Sequence, residues 1–172
     1  MNYDFKESNQ DVLEGLLKPG LYILAGPSKV GKSMIVTSLA NAVANGTSYL
    51  GRNTHQGIVI YFDNDNYASQ TQNRLEALNL KESNQLIYNF EDARSFSGMR
   101  NYIIYSLDDQ LTNLRMVVID CYANFHDLND IDRYTDNYSF LKKISNFAME
   151  YALCIILVHH TKKGNLVGQD AL

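Results

Sequence analysis

Cysteine is scarce in this sequence, where only Cys121 and Cys154 occur among 172 residues. Both lie within or beside strongly apolar segments, where a thiol packs as a small hydrophobic group. Two isolated cysteines in such surroundings argue against a disulfide framework and against a cysteine-based metal site. The sequence therefore predicts buried free thiols in a protein of the reducing cytosol.

Net positive charge and long apolar runs are also lacking. Fifteen Lys and Arg residues against nineteen Asp and Glu residues give a net charge of -4, which excludes general basic attraction to nucleic acid. Only a local basic patch could contact DNA or RNA. The longest apolar run, residues 151–158, is far too short to span a bilayer, and the polar residues 1–10 do not form a signal peptide. A cytoplasmic protein without a membrane partner is expected.

The chain length suits one domain, and 45% hydrophobic residues supply ample material for a core. Residues 1–19 are predicted to be a lead-in that contains one short amphipathic turn and ends at Lys18-Pro19-Gly20. Residues 20–172 are predicted to form the core domain. No internal repeat or low-complexity tract interrupts it.

Apolar runs alternate with segments of helical periodicity along this core. The runs are continuously apolar, a pattern typical of a parallel sheet that is covered by helices on both faces. Ligand sites of such sheets lie at the carboxyl ends of the strands. The predicted strands are 21–25, 57–62, 86–88, 115–120 and 153–158, and the predicted helices are 34–46, 67–79, 98–110 with Ser97 as N-cap, and 140–151.

Residues 26–33, GPSKVGKS, match the phosphate-binding P-loop pattern G-x-x-x-x-G-K-[ST]. Glycines leave backbone N–H groups free to surround phosphate oxygens, Lys32 adds positive charge, and the Ser33 hydroxyl can ligate Mg²⁺. A buried strand precedes the motif and a helix follows, with Met34, Ile35, Leu39 and Val43 as its predicted apolar face and Gly46 as its stop. The predicted nucleotide-binding residues are Gly26, Pro27, Ser28, Lys29, Val30, Gly31, Lys32, Ser33 and Met34.

Carboxylates follow two of the other predicted strands. Asp120 ends an apolar run, as a Walker B aspartate does, and is predicted to contact Mg²⁺ through water; the alternative is a cap of the next loop. Asp63 and Asp65 follow the second strand, and Asp65 is the stronger candidate for activating the attacking water. The alternative for this pair is a helix N-terminal cluster, for which acidic residues are also favoured.

Histidines and lysines follow the fifth predicted strand. His159 and His160 are adjacent on a strand, so their side chains point to opposite faces and cannot jointly chelate one metal ion. One of them could sense the γ-phosphate while the other packs in the core. Lys162 and Lys163 begin the basic patch near this site, although such lysines are usually just solvated.

Together these motifs resemble the RecA-like ATPases, most closely the RepA-type hexameric replicative helicases and related phage and mobile-element ATPases. The stretches that carry the resemblance are residues 26–33, 117–120 with 127–130, and 158–164. The resemblance implies a P-loop NTPase fold of the α/β class, namely a RecA-like core with a mainly parallel five-stranded sheet flanked by helices. It also implies Mg²⁺-dependent ATP hydrolysis in DNA replication, recombination or repair, by a homo-oligomeric ring or filament on single-stranded DNA.

The resemblance also assigns roles to individual residues. Asp65 lies at the position of the family's catalytic glutamate, His160 at the position of its γ-phosphate sensor, and Lys162 and Lys163 in a loop that faces DNA. With Lys32 and Asp120, Asp65 and His160 form the predicted catalytic set, and Ser33 and Asp120 the predicted metal site.

Two departures from the family pattern qualify this reading. Asp65 is one methylene shorter than glutamate, which predicts slow hydrolysis and leaves open a nucleotide-dependent assembly or DNA-binding module with negligible turnover. The sequence also stops at residues 168–172, before the family's further strands and arginine finger. The core is therefore expected to lack its C-terminal strands, with the P-loop strand at a sheet edge. A small-molecule kinase is disfavoured because no arginine-bearing lid segment is found.

Overall fold

A computed structural model describes residues 10–90, 95–124 and 133–161, with side chains of 133–137 excepted. Lys162 and Lys163 lie outside the described residues, as do the loop aspartates Asp127, Asp130 and Asp132. The strands are β1 (Gly20–Pro27), β2 (Ile58–Asp63), β3 (Leu86–Asn89), β4 (Leu114–Asp120) and β5 (Cys154–Thr161). The helices are α1 (Lys32–Asn45), α2 (Ala68–Ala77), α3 (Phe96–Leu107) and α4 (Arg133–Glu150), with 3₁₀ segments at Asp108–Asn113 and Tyr122–Asn124.

The five strands form one sheet in the order β1-β5-β4-β2-β3, and every pairing is parallel. One face packs against α3 and α4 through residues such as Met99, Ile103 and Phe147. The other face packs against α1 through Val36, Leu39 and its neighbours. The predicted α/β fold, with a parallel sheet covered on both faces, is confirmed.

Strand β1 lies at an edge of the sheet, because within the described residues it pairs only with β5. The expectation of an edge position for the P-loop strand is confirmed. The prediction that this strand is buried was wrong: Ile23 is 44% exposed, whereas every residue of β2, which has two neighbouring strands, is buried. Having a single neighbour is the physical reason for the difference.

The apolar face of α1 differs from the predicted one at its first turn. Met34 and Ile35 are 47% and 50% exposed, so their assignment to the core was wrong. The buried stripe starts instead at Lys32 and continues through Val36, Leu39, Ala40 and Val43. This spacing of three and four residues leaves positions 34 and 35 on the outer side of the helix. The predicted stop at Gly46 is confirmed by its left-handed φ of 65°.

The remaining corrections concern element ends. Helix α3 begins at Phe96, and Ser95 caps it by accepting a hydrogen bond from the Gly98 N–H at 3.0 Å, so the prediction of Ser97 as N-cap was wrong. Strand β5 extends through both histidines to Thr161. Cys121 and Cys154 are buried free thiols, as predicted, and burial raises the pKa of Cys154 to about 12. In the part of the chain described, no helix is long and apolar enough to cross a membrane.

Candidate functional site

The strand register brings the predicted site residues to one edge and one face of the sheet. In the strand register, Asp63 of β2 lies opposite Asp120 of β4, and Gly26 of β1 lies opposite His160 of β5. Side chains alternate between faces along a strand, and the even-numbered residues of β4 and β5 face α1. Asp120 and His160 continue these two series, so both lie at the carboxyl edge on the face that α1 covers.

The P-loop leads from the edge of β1 into the first turn of α1. Lys29 and Gly31 adopt left-handed conformations, with φ of 65° and 91°, which turn the backbone sharply before the helix. No side chain caps the start of α1, and no acidic residue lies in its first turn. Its first N–H groups therefore stay available to an anion, and the positive end of the helix dipole is not neutralised there.

Lys32 is held over this loop by the loop's own carbonyl groups. Its Nζ donates hydrogen bonds to the carbonyl oxygens of Gly26 at 2.8 Å and Pro27 at 2.7 Å, and the residue is only 5% exposed. Among the residues that the structure describes, no carboxylate pairs with it. Gly26 lies against this side chain, since a Cβ there would be 3.7 Å from Lys32 Cδ and 3.6 Å from Val30 Cγ2. A buried ammonium beside free helix N–H groups fits a polyphosphate.

Asp120 is buried at the carboxyl end of β4, with 1% of its surface exposed. The hydroxyl of Tyr61, from the neighbouring strand β2, donates a hydrogen bond to Asp120 Oδ2 at 2.8 Å. Burial, followed by the negative charge of Asp120, raises the pKa of Tyr61 well above its ordinary value. Tyr61 therefore remains protonated and keeps donating to the carboxylate at neutral pH.

Asp63 is fully buried, and its carboxylate is hydrogen-bonded to residues of the following loop and of α2. Its two oxygens accept hydrogen bonds from Asn66 Nδ2 at 2.8 Å and Thr71 Oγ1 at 2.7 Å, and Arg74 Nη1 lies 3.5 Å from Oδ2. Such a carboxylate is occupied in holding the start of α2 against β2. The geometry therefore favours the structural alternative for Asp63.

Asp65, two residues further on, faces solvent instead. Its side chain is 49% exposed, and its Oδ2 lies 3.6 Å from His160 Nε2. Asn124 donates from Nδ2 to Asp65 Oδ1 and to the carbonyl oxygen of Asn64, both at 3.2 Å. Loops after β2 and β4 thus bring Asp65 and Asn124 together, while β5 supplies His160.

The two adjacent histidines have different surroundings, as the alternation predicts. The His159 ring packs edge-on against Tyr122 with ring centroids 5.6 Å apart. His160 lies at the site edge with its Nε2 toward Asp65, and its Nδ1 is buried without a hydrogen-bond partner among the described residues. The packed histidine is therefore His159, and His160 is the one available to a ligand.

The sequence motifs did not point to four polar residues at this edge. Tyr61 contacts Asp120, Asn124 contacts Asp65, and Thr37 and Arg74 contact each other at 3.4 Å. Asn124 follows the Walker B-like run by only four residues, which is the one signal that could have found it. The other three sit in predicted strands or helices, where a polar side chain carries no motif.

A parallel α/β sheet with a glycine-rich loop between its edge strand and a helix N-terminus defines a P-loop NTPase core. Residues 4–165 match the model of the AAA domain family, and the chain belongs to that family. Membership makes nucleotide binding and ATPase activity its general function. A comparison with curated proteins gave no match.

Proposed function

We propose that the chain binds MgATP through residues 26–34 and hydrolyses it slowly, in the service of DNA replication, recombination or repair. The observation that carries this proposal is the position of Lys32, a buried ammonium bonded to the Gly26 and Pro27 carbonyls at an uncapped helix start. A polyphosphate offers oxygens to both the ammonium and the helix N–H groups. The RepA-type subgroup and a helicase-type activity belong to this proposal.

Each predicted residue then has a distinct task. Lys32 neutralises phosphate charge, while Ser33, next to it on α1, and Asp120 hold Mg²⁺, Asp120 through water. Mg²⁺, when bound there, would supply positive charge against the charge that develops on the transferred phosphate. Asp65 orients and deprotonates the attacking water, and His160, beside it at 3.6 Å, contacts the γ-phosphate.

A nucleotide-dependent assembly or DNA-binding module with negligible turnover is the second candidate. The observation in its favour is the exposed, short side chain of Asp65, whose polar contacts with other described residues are 3.2 and 3.6 Å long. A loosely held base contributes less than a preorganised one. Phosphate release with saturating MgATP, measured with and without single-stranded DNA, separates the two candidates. Turnover above the rate of a Lys32→Ala sample supports the enzyme, and binding without turnover supports the module.

Lys162 and Lys163 test the DNA part of the proposal. They directly follow Thr161, the last residue of β5, which carries His160. Lys162→Glu with Lys163→Glu should weaken single-stranded DNA binding and reduce its salt dependence, because fewer phosphate counterions are released. Fluorescence anisotropy at several salt concentrations measures both quantities. Lys142→Glu with Lys143→Glu, an exposed pair on α4, is the matched control. An unchanged affinity and salt slope in the first variant would assign Lys162 and Lys163 to ordinary solvated surface.

The proposal also includes a homo-oligomer, either a ring or a filament. The exposed edge of β1 and the outward-facing Met34 and Ile35 lie next to the P-loop, so a neighbouring chain at this side could complete the site. Specific ATPase activity should then rise with protein concentration over the range in which sedimentation detects assembly. Constant activity per chain, together with a monomer at every concentration, would contradict this expectation.

The two free cysteines are consistent with the proposed cytoplasmic location.

A further inference from the structure

Tyr61 provides a hydrogen-bond donor to Asp120 within the core. Both residues are buried, with 0% and 1% of their surfaces exposed, and the hydroxyl-to-Oδ2 distance is 2.8 Å. An ionised carboxylate in such a place depends on its donors for both stability and orientation. A phenylalanine would fill nearly the same volume without this bond. Hydrophobic packing alone therefore does not account for a tyrosine here.

The Tyr61 hydroxyl donates its one proton to the Asp120 carboxylate, and this bond fixes how the hydroxyl is turned. Between two buried groups such a bond is stronger than it would be in water, because the surroundings screen it less.

We infer that Tyr61 is a positioning residue, which orients the Asp120 carboxylate toward Mg²⁺. The inference rests on the proposed function, in which Asp120 and Ser33 hold the metal. Ser33 lies on α1, whereas Tyr61 comes from β2. The metal site is therefore supported from α1 and from β2.

A purely structural hydrogen bond would have a different signature. Its loss would lower thermal stability and would weaken nucleotide binding equally with and without Mg²⁺. A positioning bond acts only when the metal is present, and loss of such an outer partner typically costs about 10- to 100-fold in metal affinity. The ratio of nucleotide affinities with and without Mg²⁺ is thus the quantity that separates the two roles.

The experiment compares Tyr61→Phe with the parent chain. A fluorescent non-hydrolysable ATP analogue is titrated at several Mg²⁺ concentrations and in EDTA. We expect the Mg²⁺ concentration for half-maximal enhancement of binding to rise about 10-fold, while affinity in EDTA stays unchanged. Tyr88→Phe is the matched control, because the Tyr88 ring lies 5.0 Å from the Tyr61 ring and its hydroxyl has no hydrogen-bond partner by distance and angle among the described residues.

Two further comparisons keep the result interpretable. In an Asp120→Asn background, Tyr61→Phe should add no further loss, since a residue that acts through Asp120 has nothing left to orient. Asp120→Asn alone should raise the Mg²⁺ requirement at least as far as Tyr61→Phe does, because it removes the carboxylate that Tyr61 orients. An Asp120→Asn protein with the parental Mg²⁺ dependence would overturn the inference even if Tyr61→Phe does not fold.

The outcomes are separable from those of the proposed function. If the parent chain does not bind the analogue at any Mg²⁺ concentration, the proposed function itself is wrong and the inference falls with it. If the parent binds with a clear Mg²⁺ dependence that is the same in Tyr61→Phe and in Tyr88→Phe, only the positioning role is overturned. An equal loss with Mg²⁺ and in EDTA would also overturn it, since that result assigns Tyr61 to the core alone.

Discussion

Replacing Lys32 with alanine should reduce ATP affinity by about 10- to 100-fold, since a hydrogen bond to a charged group contributes about 1.5–3 kcal/mol and the ammonium keeps one N–H free beside its two bonds to loop carbonyls. The ammonium is already positioned by the Gly26 and Pro27 carbonyls, so little ordering remains to be done when phosphate arrives. Among the described residues, Lys32 is the one buried lysine, and no arginine is buried. Isothermal titration with MgATP measures the loss.

The fold must be checked in the same samples, because Lys32 is buried and α1 starts with it. Circular dichroism and thermal unfolding should show a native variant, since alanine is a strong helix former and no ion pair between described residues is broken. Lys29→Ala is the matched control: Lys29 has the same charge in the same loop but an exposed position. We expect its effect on ATP affinity to be much smaller. A folded Lys32→Ala protein with parental ATP affinity would reject the P-loop assignment.

The sequence predicted which strand ends meet, and it could do so because parallel strands share one carboxyl edge. Continuous apolar runs ending at Asp63, Asp120 and the histidine pair were sufficient for this prediction, and strand order was not needed. The sequence also favoured Asp65 over Asp63 as the residue that activates water. Only the structure, however, shows Asp63 occupied by Thr71 and Asn66 and Asp65 turned to solvent.

The sequence pattern could not predict contacts between side chains of different helices and strands. The Tyr61–Asp120 bond joins positions 59 residues apart, and Arg74 reaches Thr37 across 37 residues. Neither contact follows from local periodicity, because each depends on which helix covers which strand. The prediction that Met34 and Ile35 face the core was wrong for a related reason. An apolar residue in a first turn can face inward or outward, and the stripe that starts at the polar Lys32 decides between them.

Replacing Asp65 with asparagine should lower ATP turnover by about 100-fold or more, the usual contribution of a general base. Asparagine keeps the size of the side chain but cannot take a proton from water. Nucleotide affinity should change by less than about 2-fold, because Asp65 lies outside the P-loop. Loss of its negative charge should affect mainly the attacking water. Phosphate release at saturating MgATP, with the binding constant measured separately, gives the two quantities.

Asp63→Asn is the matched control, since it makes the same chemical change two residues away. Asp63 is fully buried beside Arg74 and bonded to Thr71, so its neutralisation should lower the free energy of unfolding, on the order of 3 kcal/mol. Asp65→Asn should leave thermal stability near the parental value, because its side chain is 49% exposed. The two variants therefore separate a loss of turnover from a loss of stability.

Asp65→Glu is the sharper test of the same site. Asp65 is held by Asn124 at 3.2 Å and lies 3.6 Å from His160, so its carboxylate stops short of close contact with that histidine. A misplacement on the order of 1 Å can cost about 100-fold in rate, and the extra methylene of glutamate extends the carboxylate by about that distance. Turnover should therefore rise in Asp65→Glu. If Asp65→Asn hydrolyses ATP as fast as the parent, Asp65 is only a helix-start residue, and the catalytic carboxylate must come from Asp63 or from a neighbouring chain.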